Sequence, residues 1–234
     1  MTISRYATQS LNDAGFVVIP GSIAPDRLVQ LSAAYDSVVA SASSEDVRVG
    51  TTTTRVHDFV NRGSEFDELY VYQPLLKACR HVIGQSFKLS SMLARTLHPN
   101  AQAQRLHVDF KSDEERFPLV GFIFMVDEFR RDNGATRFVP GSHNWSSIPR
   151  ELTNDHLSEC ENQTITACGQ AGSVIIFTGS VLHGHSANTT GQPRRSIQGA
   201  FIPRDAQAGT DFSTRMRSET LARIGSLARY VLAI

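Results

Sequence analysis

Between residues 88 and 202 the chain is a succession of short β-type runs separated by turn residues, and this pattern restricts the fold more than any other feature. The runs cover 88–97, 106–110, 119–126, 136–139, 172–178, 181–186 and 195–202. Asn100, Asn133-Gly134, Pro140-Gly141, Gly169, Gly179 and Gly191 punctuate them. Many strands at short intervals predict a sandwich or barrel. Upstream, a strand over 16–19 is closed by Pro20-Gly21, and Pro25-Asp26 announces a helix with the stripe Leu28, Leu31, Tyr35, Val38 and Val39. A second helical stretch is expected over 65–83, with Leu69, Tyr70, Leu75, Leu76 and Val82 as its buried positions, and a last helix over 219–233. The expected architecture is mainly β with flanking helices and a jelly-roll core, a double-stranded β-helix. With no internal repeat or linker, residues 1–234 read as one domain: helical elements to about 85, the core over about 86–204, and a C-terminal helix over about 218–233.

Charge narrows the function classes. The 23 Lys and Arg balance the 23 Asp and Glu, so there is no electrostatic footprint for nucleic acid or an anionic membrane surface. Cys79, Cys160 and Cys168 match no zinc spacing and build no disulfide framework. The first residues lack a cationic leader with an apolar run, and no window is long and apolar enough to span a bilayer. These features predict a cytoplasmic chain with a small-molecule partner and neither nucleic acid nor membrane.

Two segments carry chemistry. In Arg105-Leu106-His107-Val108-Asp109-Phe110, strand alternation puts His107 and Asp109 on one face. Two polar side chains on the inner face of an apolar strand cost free energy unless something pairs with them, and a divalent metal would do so. The second segment, Val181 to Arg195, follows the apolar run Val174-Ile175-Ile176-Phe177 and offers His183 and His185. One imidazole from it would complete two imidazoles and one carboxylate, a set that holds Fe(II) on one triangular face and leaves adjacent positions open. Downstream, Arg194 or Arg195 offers a bidentate cation suited to the distal carboxylate of a diacid whose other end chelates the metal.

With these motifs in order, the sequence resembles the phytanoyl-CoA dioxygenase family of non-haem iron, 2-oxoglutarate-dependent oxygenases. The likeness rests on His107-Val108-Asp109, then Asn133-Gly134 leading into Pro140-Gly141-Ser142-His143, then His183-Gly184 followed by Asn188, Thr190 and Arg194. The opening Gly15-Phe16-Val17-Val18-Ile19-Pro20-Gly21 fits as well. The resemblance implies His107, Asp109 and His183 as iron ligands, because the family's ligand stands immediately before Gly. It implies Arg194 as the partner of the 2-oxoglutarate C5 carboxylate and sets His185 near the co-substrate; Thr190 and Arg55 complete the candidate co-substrate contacts. It implies Fe(II), 2-oxoglutarate and O2, with succinate and CO2 released and hydroxylation as the outcome. Asp109 argues against the related halogenases, which carry a small residue there.

Other residues read more plainly. His143 is expected to hold a turn, Asn188 and Thr190 to shape a hairpin, and Phe122, Phe124 and Met125 to be core. Within 51–59, Arg55 and His57 would share a strand face, with Arg55 the better ligand contact. The charged stretch 111–116 and the segment 145–162 are plausible covers over the site. Arg55, Arg62, Arg116, Arg130, Arg131 and Arg137 would favour an anionic substrate only where they leave the surface. Two rival functions share the pattern: a cupin-type metal enzyme without 2-oxoglutarate, and a non-catalytic ligand-binding relative.

Overall fold

The computed structural model describes residues 4–109, 118–145 and 154–234. Helix α1 (Arg5–Asp13) starts at Ser4, whose hydroxyl accepts the Ala7 amide, and runs into β1 (Phe16–Ile19). Helix α2 (Pro25–Ser41) has proline in its first turn and buries Leu31 and Tyr35. Strands β2 (Val47–Val49) and β3 (Thr53–Val56) follow, then α3 (Gln73–Ile83). The β region comprises β4 (Phe87–Leu97), β5 (Val120–Met125) and β6 (Thr136–Phe138), then α4 (Asn154–Asn162), β7 (Ile165–Thr166), β8 (Val174–Thr178), β9 (His183–His185) and β10 (Arg194–Pro203). Helices α5 (Phe212–Arg215), α6 (Ser218–Arg223) and α7 (Ser226–Leu232) close the chain.

The strands form two antiparallel sheets, one ordered β1-β8-β5-β10-β4-β3-β2 and a smaller one ordered β7-β6-β9. A bridge between His107 and His183 adds the segment before Asp109 to the edge of the smaller sheet. This is the jelly roll that the strand grammar predicts. Alternation sorts its core into two layers. Phe122, Phe124, Ile176 and Phe201 pack with Leu31, Tyr35, Leu75 and Val231 of the helices, whereas Ile123, Met125, Ile175 and Phe177 meet Phe129 and Phe138 between the sheets.

The structure corrects three expectations. The helix expected over 65–83 begins only at Gln73, with Pro74 in its first turn, and Leu69 and Tyr70 are buried from short turns instead. The tail expected as one helix over 218–233 is two, because Ile224 and Gly225 are extended and interrupt it. Of the strand expected over 106–110, the described residues 106–109 keep a single bridge, at His107, and Phe110 lies outside the described residues. The expected cover at 111–116 lies outside the described residues, as does part of the one at 145–162.

Candidate active site

The two imidazoles that share the bridge lie side by side, ring centroids 4.5 Å apart. Asp109 Oδ1 is 3.8 Å from His107 Nε2 and 3.6 Å from His183 Nε2, and one ligand atom of each of the three lies within 4.8 Å of the others. Metal–ligand bonds of about 2.0–2.2 Å allow a single ion to span such separations. His107 Nδ1 donates to the Arg105 carbonyl at 3.1 Å and His183 Nδ1 to the Val181 carbonyl at 3.0 Å. Because a carbonyl only accepts, both Nε2 lone pairs are left for a metal. Burial also pushes the His183 pKa down, which keeps the ring in the neutral form that ligates.

The backbone explains why glycine follows His183. A Cβ at Gly184 would lie 3.0 Å from the Gln104 carbonyl oxygen and 3.1 Å from that of Arg105. The segment leading to His107 can approach β9 only because that atom is missing. At the start of β9, the Ser142 hydroxyl accepts the Leu182 amide at 2.8 Å. His143, in the same turn, donates from Nε2 to the Asn12 carbonyl and does not line the cavity, in keeping with a turn role.

The triad opens into a cavity of about 360 Å³ that Arg55, Arg194 and His185 also line. Arg194 is 1% exposed, its guanidinium carbon stands 3.8 Å from the Phe129 ring centroid, and its Nε and Nη1 have no hydrogen-bond partner. Burial and the neighbouring Arg95 pull its pKa down to about 9, so it remains charged at neutral pH. Arg195 is engaged elsewhere: Nη1 donates to Asp36 at 2.7 Å, and Nη2 and the backbone amide donate to Asp127. His185 donates from Nδ1 to the Ser186 carbonyl at 2.9 Å, and its buried Nε2 has no partner. Burial takes its pKa down to about 4.

Thr190 stands apart from this group. Its hydroxyl bonds Asn188 Oδ1 at 2.7 Å, and it is not among the residues lining the cavity. Asn188 in turn donates to the carbonyls of His98 and Gln192, so both residues shape the hairpin. Several polar lining residues were not singled out from the sequence, among them Arg95, Gln104, Thr136 and Gln198. The signal for Gln198 was available, since it lies two and four positions beyond Ser196 and Arg194 on one face of β10.

The sequence profile of the phytanoyl-CoA dioxygenase (PhyH) family matches residues 11–196, a stretch that includes all three members of the triad and Arg194. The chain belongs to this family. Among its relatives, dioxygenase trt7 of Aspergillus terreus is 29% identical over 85% of this chain and 73% of its own. The non-heme alpha ketoglutarate dependent carbocyclase SnoK from nogalamycin biosynthesis superposes with a TM-score of 0.72 at 16% identity, over 95% of this chain and 91% of SnoK. HygX from Streptomyces hygroscopicus, solved with nickel and 2-oxoglutarate bound, gives a TM-score of 0.72 at 17% identity, over 88% of this chain and 90% of HygX. These structural matches show the same fold over most of the chain. Among the described residues, no helix is long and apolar enough to cross a membrane.

Proposed function

We propose that this chain is an Fe(II)- and 2-oxoglutarate-dependent dioxygenase that hydroxylates a small molecule. One observation carries the reading: a fully buried, unpaired guanidinium shares a cavity with a His–Asp–His cluster. A buried cation without a counterion is costly, and a dicarboxylate reaching from the metal to Arg194 would relieve that cost. The residues fit the ion as well, with two neutral imidazole lone pairs and one carboxylate converging. When bound, Fe(II) supplies the coupling of O2 to oxidative decarboxylation of 2-oxoglutarate, giving succinate, CO2 and an oxidised substrate.

The protein's part is positioning. His107, Asp109 and His183 would hold the ion, their tautomers fixed by backbone carbonyls. Arg194, whose guanidinium carbon lies over the Phe129 ring, would bind the C5 carboxylate. His185 Nε2 and Arg55 would face the co-substrate from two other sides of the cavity. Phe138 and Phe177 pack on the His183 ring and keep water from that side. We read residues 1–234 as one domain, supported by β1 and β10 sharing a sheet, and as cytoplasmic.

The experiment is anaerobic loading of the purified protein with Fe(II) and 2-oxoglutarate, then admission of O2. The expected result is a visible charge-transfer absorption on loading and succinate formation on oxygenation. Protein that binds iron without either response would overturn the use of 2-oxoglutarate.

A further inference from the structure

Residues 101–109 carry His107 and Asp109 without belonging to a strand, so single contacts decide where the imidazole stands. The Gln104 amide donates to the His185 carbonyl at 2.9 Å, and the next tie to β9 is the bridge at His107. Between these two ties, the carbonyls of Gln104 and Arg105 stand over Gly184. His107 Nδ1 bonds the second of them. The first accepts Arg137 Nη2 at 3.0 Å.

Arg137 is opposite Gly184 in the β6–β9 register and does not line the cavity. Its fork is shared with α4: Nη2 also donates to Glu161 Oε1 at 2.8 Å, and Nη1 pairs with Glu161 Oε2. Glu161 lies in the last turn of that helix, where a negative charge opposes the helix dipole. The helix on its own therefore disfavours an acid there, and the guanidinium offsets the cost. The neighbouring Cys160 belongs to the apolar cluster of Leu106, Val139 and Leu182. The end of α4 thus backs the segment before Asp109 in two ways, through apolar packing and through Arg137.

We propose that Arg137 is a positioning residue for the metal centre. Held by Glu161, it pins the Gln104 carbonyl; one peptide further on, this fixes the Arg105 carbonyl against which His107 sets its tautomer. A peptide group turns as a rigid plane. Without the guanidinium, the plane between Gln104 and Arg105 can turn toward water and carry the Arg105 carbonyl with it. His107 then loses the acceptor that keeps its proton on Nδ1 and its Nε2 lone pair open to an ion. Gly184 leaves room for the two carbonyls, and Arg137 keeps them there. The inference rests on the oxygenase reading for the role of His107 and adds the residue that holds this ligand in place.

The test has two readouts. Long-range proton–nitrogen correlations on metal-free protein labelled with nitrogen-15 at histidine give the His107 tautomer, and titration with Co(II) gives the affinity of the site. In the unaltered protein the proton is expected on Nδ1. Arg137→Ala should show a mixture of tautomers and bind Co(II) about tenfold more weakly. Arg137→Lys, which keeps a donor, should recover most of both. Exchanging the charges, Arg137→Glu with Glu161→Arg, should recover the melting temperature but neither the tautomer nor the affinity; recovery of all three would make the pair a brace only and overturn the inference. An unchanged tautomer in Arg137→Ala, or Co(II) affinity within twofold of normal, would overturn it as well. Should Arg137→Ala fail to fold, Glu161→Gln puts the same question: a partial tautomer shift and Co(II) binding weakened about threefold are expected, and no change in either sinks the proposal. Failure of the unaltered protein to bind Co(II) would instead bring down the oxygenase reading, a result told apart because it needs no variant.

Discussion

The main chains of His107 and His183 are bonded to each other twice, amide to carbonyl in each direction, at 2.9 Å. A reciprocal pair of this kind fixes where both Cβ atoms point, so the approach of the two imidazoles is set by backbone rather than by side-chain choice. Gly184 is the condition for that approach. Gly184→Ala is expected to force the strands apart by a few tenths of an ångström and to weaken Fe(II) binding about tenfold, with about 1–3 kcal/mol lost from stability. Metal analysis after dialysis, with a melting curve, checks this; full occupancy would mean that the bridge does not govern the site.

His107→Ala and Asp109→Ala should each abolish iron-dependent 2-oxoglutarate turnover, because a face held by three ligands loses one of them. His185→Ala should keep one equivalent of iron, since its Nε2 lies outside the triad. Iron content and succinate release report on the two claims separately, and loss of metal in the last variant would transfer the ligand role from His183.

Arg194→Ala should raise the 2-oxoglutarate concentration for half-maximal turnover at least tenfold, because a charge-assisted pair is worth about 1.5–3 kcal/mol. Arg195→Ala should leave that concentration unchanged and cost about 1 kcal/mol of stability, its partners being Asp36 and Asp127. Kinetics and urea unfolding on both variants decide between the neighbours.

His185 supplies a pH dependence with a definite sign. Its pKa is about 4 in the folded protein, while in the unfolded chain it titrates near the ordinary value of about 6.5. Between those values the unfolded chain binds more protons, so stability rises with pH. The contribution is complete above about pH 6.5 and falls away toward pH 4, by about 3 kcal/mol at most. Urea unfolding of metal-free protein should show a shallower slope across this window for His185→Gln than for the unaltered chain. Parallel slopes would count against the burial argument.

The β region and the His107–Asp109 pair were legible because alternation and short motifs act locally, although residues 106–109 keep a single bridge in place of a strand. Arg95 was hidden for a physical reason. The β4–β10 register shifts between Ala200 and Phe201, opposite Ser90, and Ser90 and Ser91 consequently both line the cavity. A strict two-residue period counted along β4 therefore assigns part of it to the wrong face. Leu69 and Tyr70 misled in another way, since they are buried by tertiary packing without helical geometry. At the tail, the apolar spacing of Ile224, Ala228 and Val231 survives the interruption at Gly225, so periodicity alone could not reveal it.

The bridge between His107 and His183 joins strands far apart along the chain, with β5 through β8 completed between them. Contacts of such long sequence separation are among the last to become favourable during folding. The ion therefore meets a finished receptor and cannot serve as a nucleus. Cells starved of iron should accumulate native, soluble protein, and chelators should strip the metal while leaving the circular dichroism spectrum of the sheets intact.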